Sequence, residues 1–219
     1  MKSETKIKLL SIFFPQRCPY CREVIKPCQI GCEDCIENLP DSIFTKIVAG
    51  EYRVWAAVPY QDSYKEAILA LKFGKKGAYA YPLAKLMAQK LTKEVDLKSF
   101  DYITFVPLHK ETFKERGFNQ SELLANTISE ILGVACLPLL KKTRKNKPQH
   151  KLRSDKREKN VRGVFRCVEK KAVNGKKVLI IDDIVTTGYT LAECARVLSV
   201  SGASKIYAMT FAITLPKTT

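Results

Sequence analysis

The sequence predicts an α/β protein: a mainly parallel, twisted sheet flanked by helices, with a small cysteine-bearing module in front of it. Three observations predict this. Apolar strand-like runs alternate with segments of helical periodicity along most of the chain, which favours parallel strands joined by crossover helices. One stretch, Val178-Leu179-Ile180-Ile181-Asp182-Asp183-Ile184-Val185-Thr186-Thr187-Gly188-Tyr189-Thr190, reads as strand, paired acids, hydroxyl-rich turn and helix start in direct succession. Two C-x-x-C pairs, Cys18/Cys21 and Cys32/Cys35, stand ten residues apart near the N-terminus.

Composition sets the outer limits. A chain of 219 residues that is 46% hydrophobic can bury one sizeable core with a small satellite. Its 38 Lys and Arg against 22 acids give a net charge of +16, which favours polyanions or phosphorylated ligands as partners, although a basic protein can simply be a soluble one. The apolar run from Leu9 to Phe14 is too short to span a membrane and lacks the length and cleavage site of a signal peptide. The expectation is a cytoplasmic protein without membrane insertion, whose eight cysteines are thiols or metal ligands rather than disulfides.

Residues 1 to 17 read as an amphipathic lead-in. The two C-x-x-C pairs then supply four thiolates, Cys18, Cys21, Cys32 and Cys35, the ligand set of a closed structural Zn²⁺ site. Gly31 suits the second turn. A pair of redox dithiols is the competing reading, but the strand–helix setting of such motifs is missing. Cys28 reads as a spare thiol. Residues 36 to 50 read as a linker, so residues 1–45 form the lead-in and finger and residues 46–219 the main domain.

In the main domain, Tyr52 to Val58 reads as a strand and Tyr64 to Phe73 as a helix with Ala67, Ile68 and Leu71 inward. A basic turn follows, Lys72 to Gly77, without the spacing of a Walker loop. Pro82 opens another helix. Tyr102 to Val106 reads as a strand feeding a polar, basic loop that carries His109, Lys110 and Arg116, and a helix follows through Leu124, Ile128 and Ile131. Open α/β sheets bind ligands at such strand ends. Leu137 to Leu140 reads as a short strand. From Lys141 to Arg162 there are eleven Lys or Arg and two acids, too polar a composition for core. This arm reads as a lid over a phosphate site or as a solvated hairpin. Val161 to Val168 and Ile206 to Ile213 complete the strands.

The stretch from Val178 to Thr190 carries the chemistry. The apolar run fits a strand buried on both faces. The turn Thr186-Thr187-Gly188-Tyr189-Thr190 opens a helix that runs through Leu191, Cys194, Ala195 and Leu198 to a stop at Gly202. Unpaired N–H groups and the dipole at such a helix start favour an anion, and the hydroxyls add donors. Asp182 and Asp183 can accept hydrogen bonds from neighbouring sugar hydroxyls. A bare strand–turn–helix with Thr190 and Glu193 as a capping box is the plainer reading, but it leaves the adjacent acids unexplained.

This stretch is similar to the 5-phosphoribosyl-1-pyrophosphate (PRPP) signature of type I phosphoribosyltransferases. With the four-Cys module, Leu71-Lys72-Phe73-Gly74, Val106-Pro107-Leu108-His109, Arg116-Gly117-Phe118-Asn119-Gln120, Lys147-Pro148-Gln149, Arg157, Asn160, Arg162-Gly163 and Phe165, the whole chain resembles the competence protein F (ComF/ComFC) family. The resemblance implies a type I phosphoribosyltransferase fold behind a zinc finger, and a cytoplasmic role in handling incoming single-stranded DNA during natural transformation alongside other DNA-uptake proteins. It also implies PRPP binding with Mg²⁺. Asp182 and Asp183 would hold the ribose, Thr186, Thr187, Gly188, Tyr189 and Thr190 the 5-phosphate, and Lys110 and Arg116 the pyrophosphate. Tyr189 departs from the small residue common at its position. Single-stranded DNA would meet Lys141, Lys142, Arg144, Lys145, Lys147, Lys151 and Arg153. The alternative is a metabolic enzyme that transfers phosphoribosyl from PRPP to a base or amine.

Overall fold

The computed structural model describes residues 3–73, 79–144 and 161–216. Its centre is a five-stranded sheet in the order β1-β2-β7-β6-β3, where β1 is Phe44–Val48, β2 Tyr52–Pro59, β3 Tyr102–Phe105, β6 Lys177–Val185 and β7 Lys205–Ile213. β2, β7, β6 and β3 run parallel, and β1 alone is antiparallel, hairpinned onto β2. β4 (Leu140–Lys142) and β5 (Phe165–Cys167) form a separate antiparallel pair, and a short helix, α7 (Lys170–Val173), leads from β5 toward β6.

Strand alternation explains the two cores. In β6, Leu179 and Ile181 face one side and Val178 and Ile180 the other, all fully buried. The first side packs on α3 (Asp62–Phe73), α4 (Ala80–Glu94) and α6 (Gln120–Leu132) through Leu71, Leu83, Met87, Leu124 and Ile128. The second packs on α8 (Tyr189–Val200) through Leu191, Cys194, Ala195 and Leu198, and takes in Val164 and Phe165. A central strand covered on both faces is why Val178 to Ile181 shows no polar alternation. Deleting a fully buried leucine here, such as Leu179→Ala, costs about 2–5 kcal/mol.

The N-terminal segment is docked on the first face. α1 (Ser3–Leu10) precedes the four-Cys segment, and α2 (Glu33–Glu37) carries Cys35, with Cys32 as its N-cap. Cys18, Tyr20 and Ile25 belong to the same core as the sheet, and Tyr20 meets Tyr64 of α3 edge-on at 5.8 Å. The Tyr64 hydroxyl donates to the Asn38 carbonyl at 3.0 Å, Lys90 of α4 donates to the carbonyls of Pro40 and Ser42, and the Tyr81 hydroxyl donates to the Glu4 carboxylate. Among the described residues no helix is long and apolar enough to cross a membrane.

Four sequence expectations are corrected. The supposed linker, residues 36 to 50, holds the end of α2 and all of β1. Only Val48 of β1 is fully buried, so this edge strand lacks a clean apolar alternation. The basic loop after β3 holds a helix, α5 (Lys110–Arg116), which His109 caps through Nδ1 and Gly117 ends at φ 77°. The short strand placed at Leu137 to Leu140 is β4, three residues long from Leu140. The strand placed at Val161 to Val168 shrinks to Phe165–Cys167, which pairs with β4 outside the main sheet.

Candidate functional site

β6 carries Asp182 and Asp183 near its carboxyl end, and Thr186 to Gly188 turn the chain into α8. Pairing with both β3 and β7 holds the strand, so the two carboxylates start from a rigid base. Asp182 accepts a hydrogen bond from the Ser121 hydroxyl of α6 at 2.7 Å and from the Asp183 N–H at 2.9 Å. Asp183 is buried, with its carboxylate 2.6 Å from the ammonium of Lys72 in the last turn of α3. Burial, and then repulsion from Asp183, push Asp182 up to about 7 against the pull of Ser121 and the Asp183 N–H. Burial works against the Lys72 ammonium, but contact with Asp183 outweighs it and raises Lys72 above its ordinary value.

The turn is clamped from outside the motif. Gly188 is the N-cap of α8 at φ 89°, a left-handed conformation that needs glycine. A Cβ on Gly188 would sit 2.2 Å from Cγ1 of Val48, so β1 lies directly against the turn. Lys46 of β1 donates to the Thr186 carbonyl at 2.5 Å. The Thr187 hydroxyl oxygen is shielded from solvent and has no hydrogen-bond partner among the described residues. Glu193 is no capping-box partner: its carboxylate accepts from the Gly163 N–H at 2.7 Å and from Arg196 at 2.7 and 2.8 Å.

The basic residues separate. Arg116 lies with its guanidinium 5.8 Å from the Phe73 ring centre and donates to Gln120 at 3.3 Å, beside Lys72. Lys110 is exposed at the start of α5. Lys142 is half-buried, its ammonium 5.7 Å from the Phe165 ring centre. Burial lowers its pKa, offset in part by Cys194 and Asp182, so Lys142 is within electrostatic reach of Asp182. Lys141 and Arg144 are exposed, and Arg144 donates to the Arg162 carbonyl at 2.7 Å. Lys145, Lys147, His150, Lys151 and Arg153 lie outside the described residues. Sequence reasoning missed Lys72, Ser121 and Lys46 as neighbours of the site. Lys72 stands within the motif Leu71-Lys72-Phe73-Gly74 and Ser121 directly follows Gln120 of the motif that begins at Arg116, which was the available signal; Lys46 left none.

The second cluster is the four cysteines. The sulfurs of Cys18, Cys21, Cys32 and Cys35 all lie within 4.8 Å of one another, and those of Cys21 and Cys32 are 3.5 Å apart. Four sulfurs around one tetrahedral metal at a bond length of about 2.3 Å would be about 3.8 Å apart, so the set fits a single ion. Gly31 lets the second turn pass under Tyr20, whose ring would be 3.1 Å from an added Cβ. Cys28 stands apart, buried, its thiol 3.8 Å from the Glu4 carbonyl.

Parallel strands, acids at a strand end and an anion-type turn opening the next helix define a phosphoribosyltransferase-type α/β domain, and residues 119–216 match the family model described as "Phosphoribosyl transferase domain". Over 193 residues, 86% of this chain and 80% of the relative, the chain is 30% identical to the "DNA utilization protein YhgH" of Salmonella typhimurium. It is 26% identical over 196 residues to the "Competence protein ComFC" of Streptococcus pneumoniae, covering 87% and 78% of the two chains. A solved adenine phosphoribosyltransferase from Saccharomyces cerevisiae is 18% identical at a TM-score of 0.41, covering 84% of this chain and 90% of that one. The chain belongs to the competence protein F (ComF/ComFC) family, and its fold is the type I phosphoribosyltransferase fold with a four-cysteine cluster at the N-terminus.

Proposed function

We propose that the protein is a PRPP-binding, phosphoribosyltransferase-like competence factor that handles incoming single-stranded DNA in the cytoplasm. The observation that carries this reading is the pairing of two carboxylates on β6 with an uncapped helix start five residues on, in a chain related to competence proteins. The amides at the start of α8 and the Thr186, Thr187 and Thr190 hydroxyls would take the 5-phosphate. Asp182 and Asp183 would take the ribose hydroxyls. Lys72 must then leave Asp183 or share it, and with Arg116 and Lys110 it would meet the pyrophosphate charge. Mg²⁺ would enter with PRPP, since magnesium commonly uses few protein carboxylates and several phosphate oxygens. Residues 1–45 would be a zinc-bound module and residues 46–219 the phosphoribosyltransferase-like domain. Zn²⁺ suits the cluster because its donors are four thiols.

Calorimetry with Mg²⁺-PRPP tests the ribose assignment. Asp182→Ala plus Asp183→Ala should weaken binding tenfold or more, since each charge-assisted hydrogen bond contributes roughly 1.5–3 kcal/mol. Equal affinity in wild type and double mutant would remove it. Release of pyrophosphate from labelled PRPP with any member of a base and amine panel would shift the reading to a transferase.

A further inference from the structure

Beyond the phosphate turn lies a cavity of about 440 Å³, the volume range of a nucleoside-sized ligand. Thr187 and Gly188 of the turn are part of its lining. One wall is the flank of α8, with Tyr189, Ala192, Glu193 and Arg196 at helical spacing; the others are Glu51 and Tyr52 at the hairpin tip and Arg162. Neither Asp182 nor Asp183 lines it, so it is separate from the carboxylates although it shares Thr187 and Gly188 of the turn.

Its chemistry is that of a ring-binding pocket. Two arginines and two glutamates leave the lining without net charge, in a protein of net charge +16. Arg196 is already held by Glu193, and Glu193 by the Gly163 N–H. Tyr52 and Tyr189 both pack against the core on the α8 side of the sheet. Two partly buried tyrosines that line the cavity bring aromatic surface for stacking at little further entropic cost. Tyr189, the bulky residue in an otherwise small turn, is thereby placed as a cavity wall.

We infer that this cavity is a nucleoside subsite continuous with the phosphate turn, so that the turn can hold an internal phosphodiester: one nucleoside on the Tyr52 side, the next sugar toward Asp182 and Asp183. PRPP ends at its 5-phosphate and leaves the cavity empty; a DNA strand fills it. This rests on the reading of Thr186 to Thr190 as a phosphate site, and the test separates the two.

The probes are the dinucleoside monophosphate TpT and PRPP, each followed by backbone amide shifts in an NMR titration of the full chain. TpT should shift the amides of Tyr52 and Ala192 as well as those of the turn; PRPP should shift the turn. Ala192→Trp, which fills the cavity from an outward-facing helix position, and Tyr52→Ala should each weaken TpT roughly five- to hundredfold, the range of one lost stacking contact, and leave PRPP unchanged. A protein that binds PRPP but not TpT, or an Ala192→Trp variant that binds TpT as wild type does, overturns the subsite and leaves the phosphate reading intact. TpT binding that is lost in Ala192→Trp, in a protein that ignores PRPP, supports the subsite and removes the ribose assignment. Binding of neither probe removes both.

Discussion

Two constraints coincide at Gly188. Its φ of 89° is costly for any L-residue, and Val48 occupies the space a Cβ would need. Gly188→Ala should therefore destabilise the protein by about 2–4 kcal/mol, adding backbone strain to overpacking, and a thermal melt should show it. Val48→Ala in the same chain should restore part of the loss by making room, while the strain persists. Asp182 makes a pH prediction. Its carboxyl is raised when folded, so the folded state holds a proton that the unfolded state gives up. Below about pH 4 both states are protonated and nothing is lost. As pH rises from there to about 7, the folded state loses stability, and above that the loss is constant. Asp182→Asn, which still accepts from Ser121, should have the wild-type melting temperature at about pH 4 and exceed it at about pH 8 by a few degrees, on the order of 1–2 kcal/mol. A wild-type melting temperature that does not fall relative to the variant over this range would disprove the raised carboxyl.

At the scale of elements, the β1–β2 hairpin and the four-Cys segment do more than punctuate the chain. β1 reaches the phosphate turn with two side chains, Lys46 and Val48, from 140 residues away in sequence. The four-Cys segment feeds Cys18, Tyr20 and Ile25 into the core beside α3 and α4. Loss of metal should therefore spread beyond the segment. Chelation, or Cys32→Ser with Cys35→Ser, should lower the melting temperature of the whole protein by roughly 10 °C or more, because the binding energy of a structural ion is folding energy. Elemental analysis should find one zinc per chain. Protein without zinc, or a double mutant that melts like wild type, would exclude the site.

At the scale of the molecule, excess positive charge governs which partners are drawn in. Eleven basic residues between Lys141 and Arg162 exceed what one small anion needs. Single-stranded DNA should bind with little sequence preference and weaken with salt, with a log–log slope near about −0.7 per phosphate contacted. Replacing Lys141, Lys142, Arg144, Lys145 and Lys147 by Gln should flatten that slope by several units and spare PRPP binding. Lys142→Gln alone should leave the slope nearly unchanged, because its ammonium lies over Phe165 near Asp182. Fluorescence anisotropy across a salt series measures both. An unchanged slope in the fivefold variant would make the arm a cover for the site and no DNA contact.

What the sequence determined by itself is local in origin. Val178 to Ile181 had to be a buried central strand because four consecutive apolar residues need cover on both faces. Gly188 and the threonines had to turn at its end, and two C-x-x-C pairs had to converge on one centre. Each follows from residues close together in the chain, the widest span being Cys18 to Cys35, where spacing alone fixes which side chains meet. The contacts that complete the site come from elsewhere in the chain, and only the tertiary structure decided them. Lys72 reaches Asp183 from α3, Ser121 reaches Asp182 from α6, and Lys46 reaches Thr186 from an edge strand. Nothing in a lysine's neighbours announces a buried carboxylate far along the chain, because that contact exists only once α3 packs on the sheet. Lys142 shows the same limit from the other side: the run of cations does not reveal that pairing of β4 with β5 sets its ammonium over the Phe165 ring.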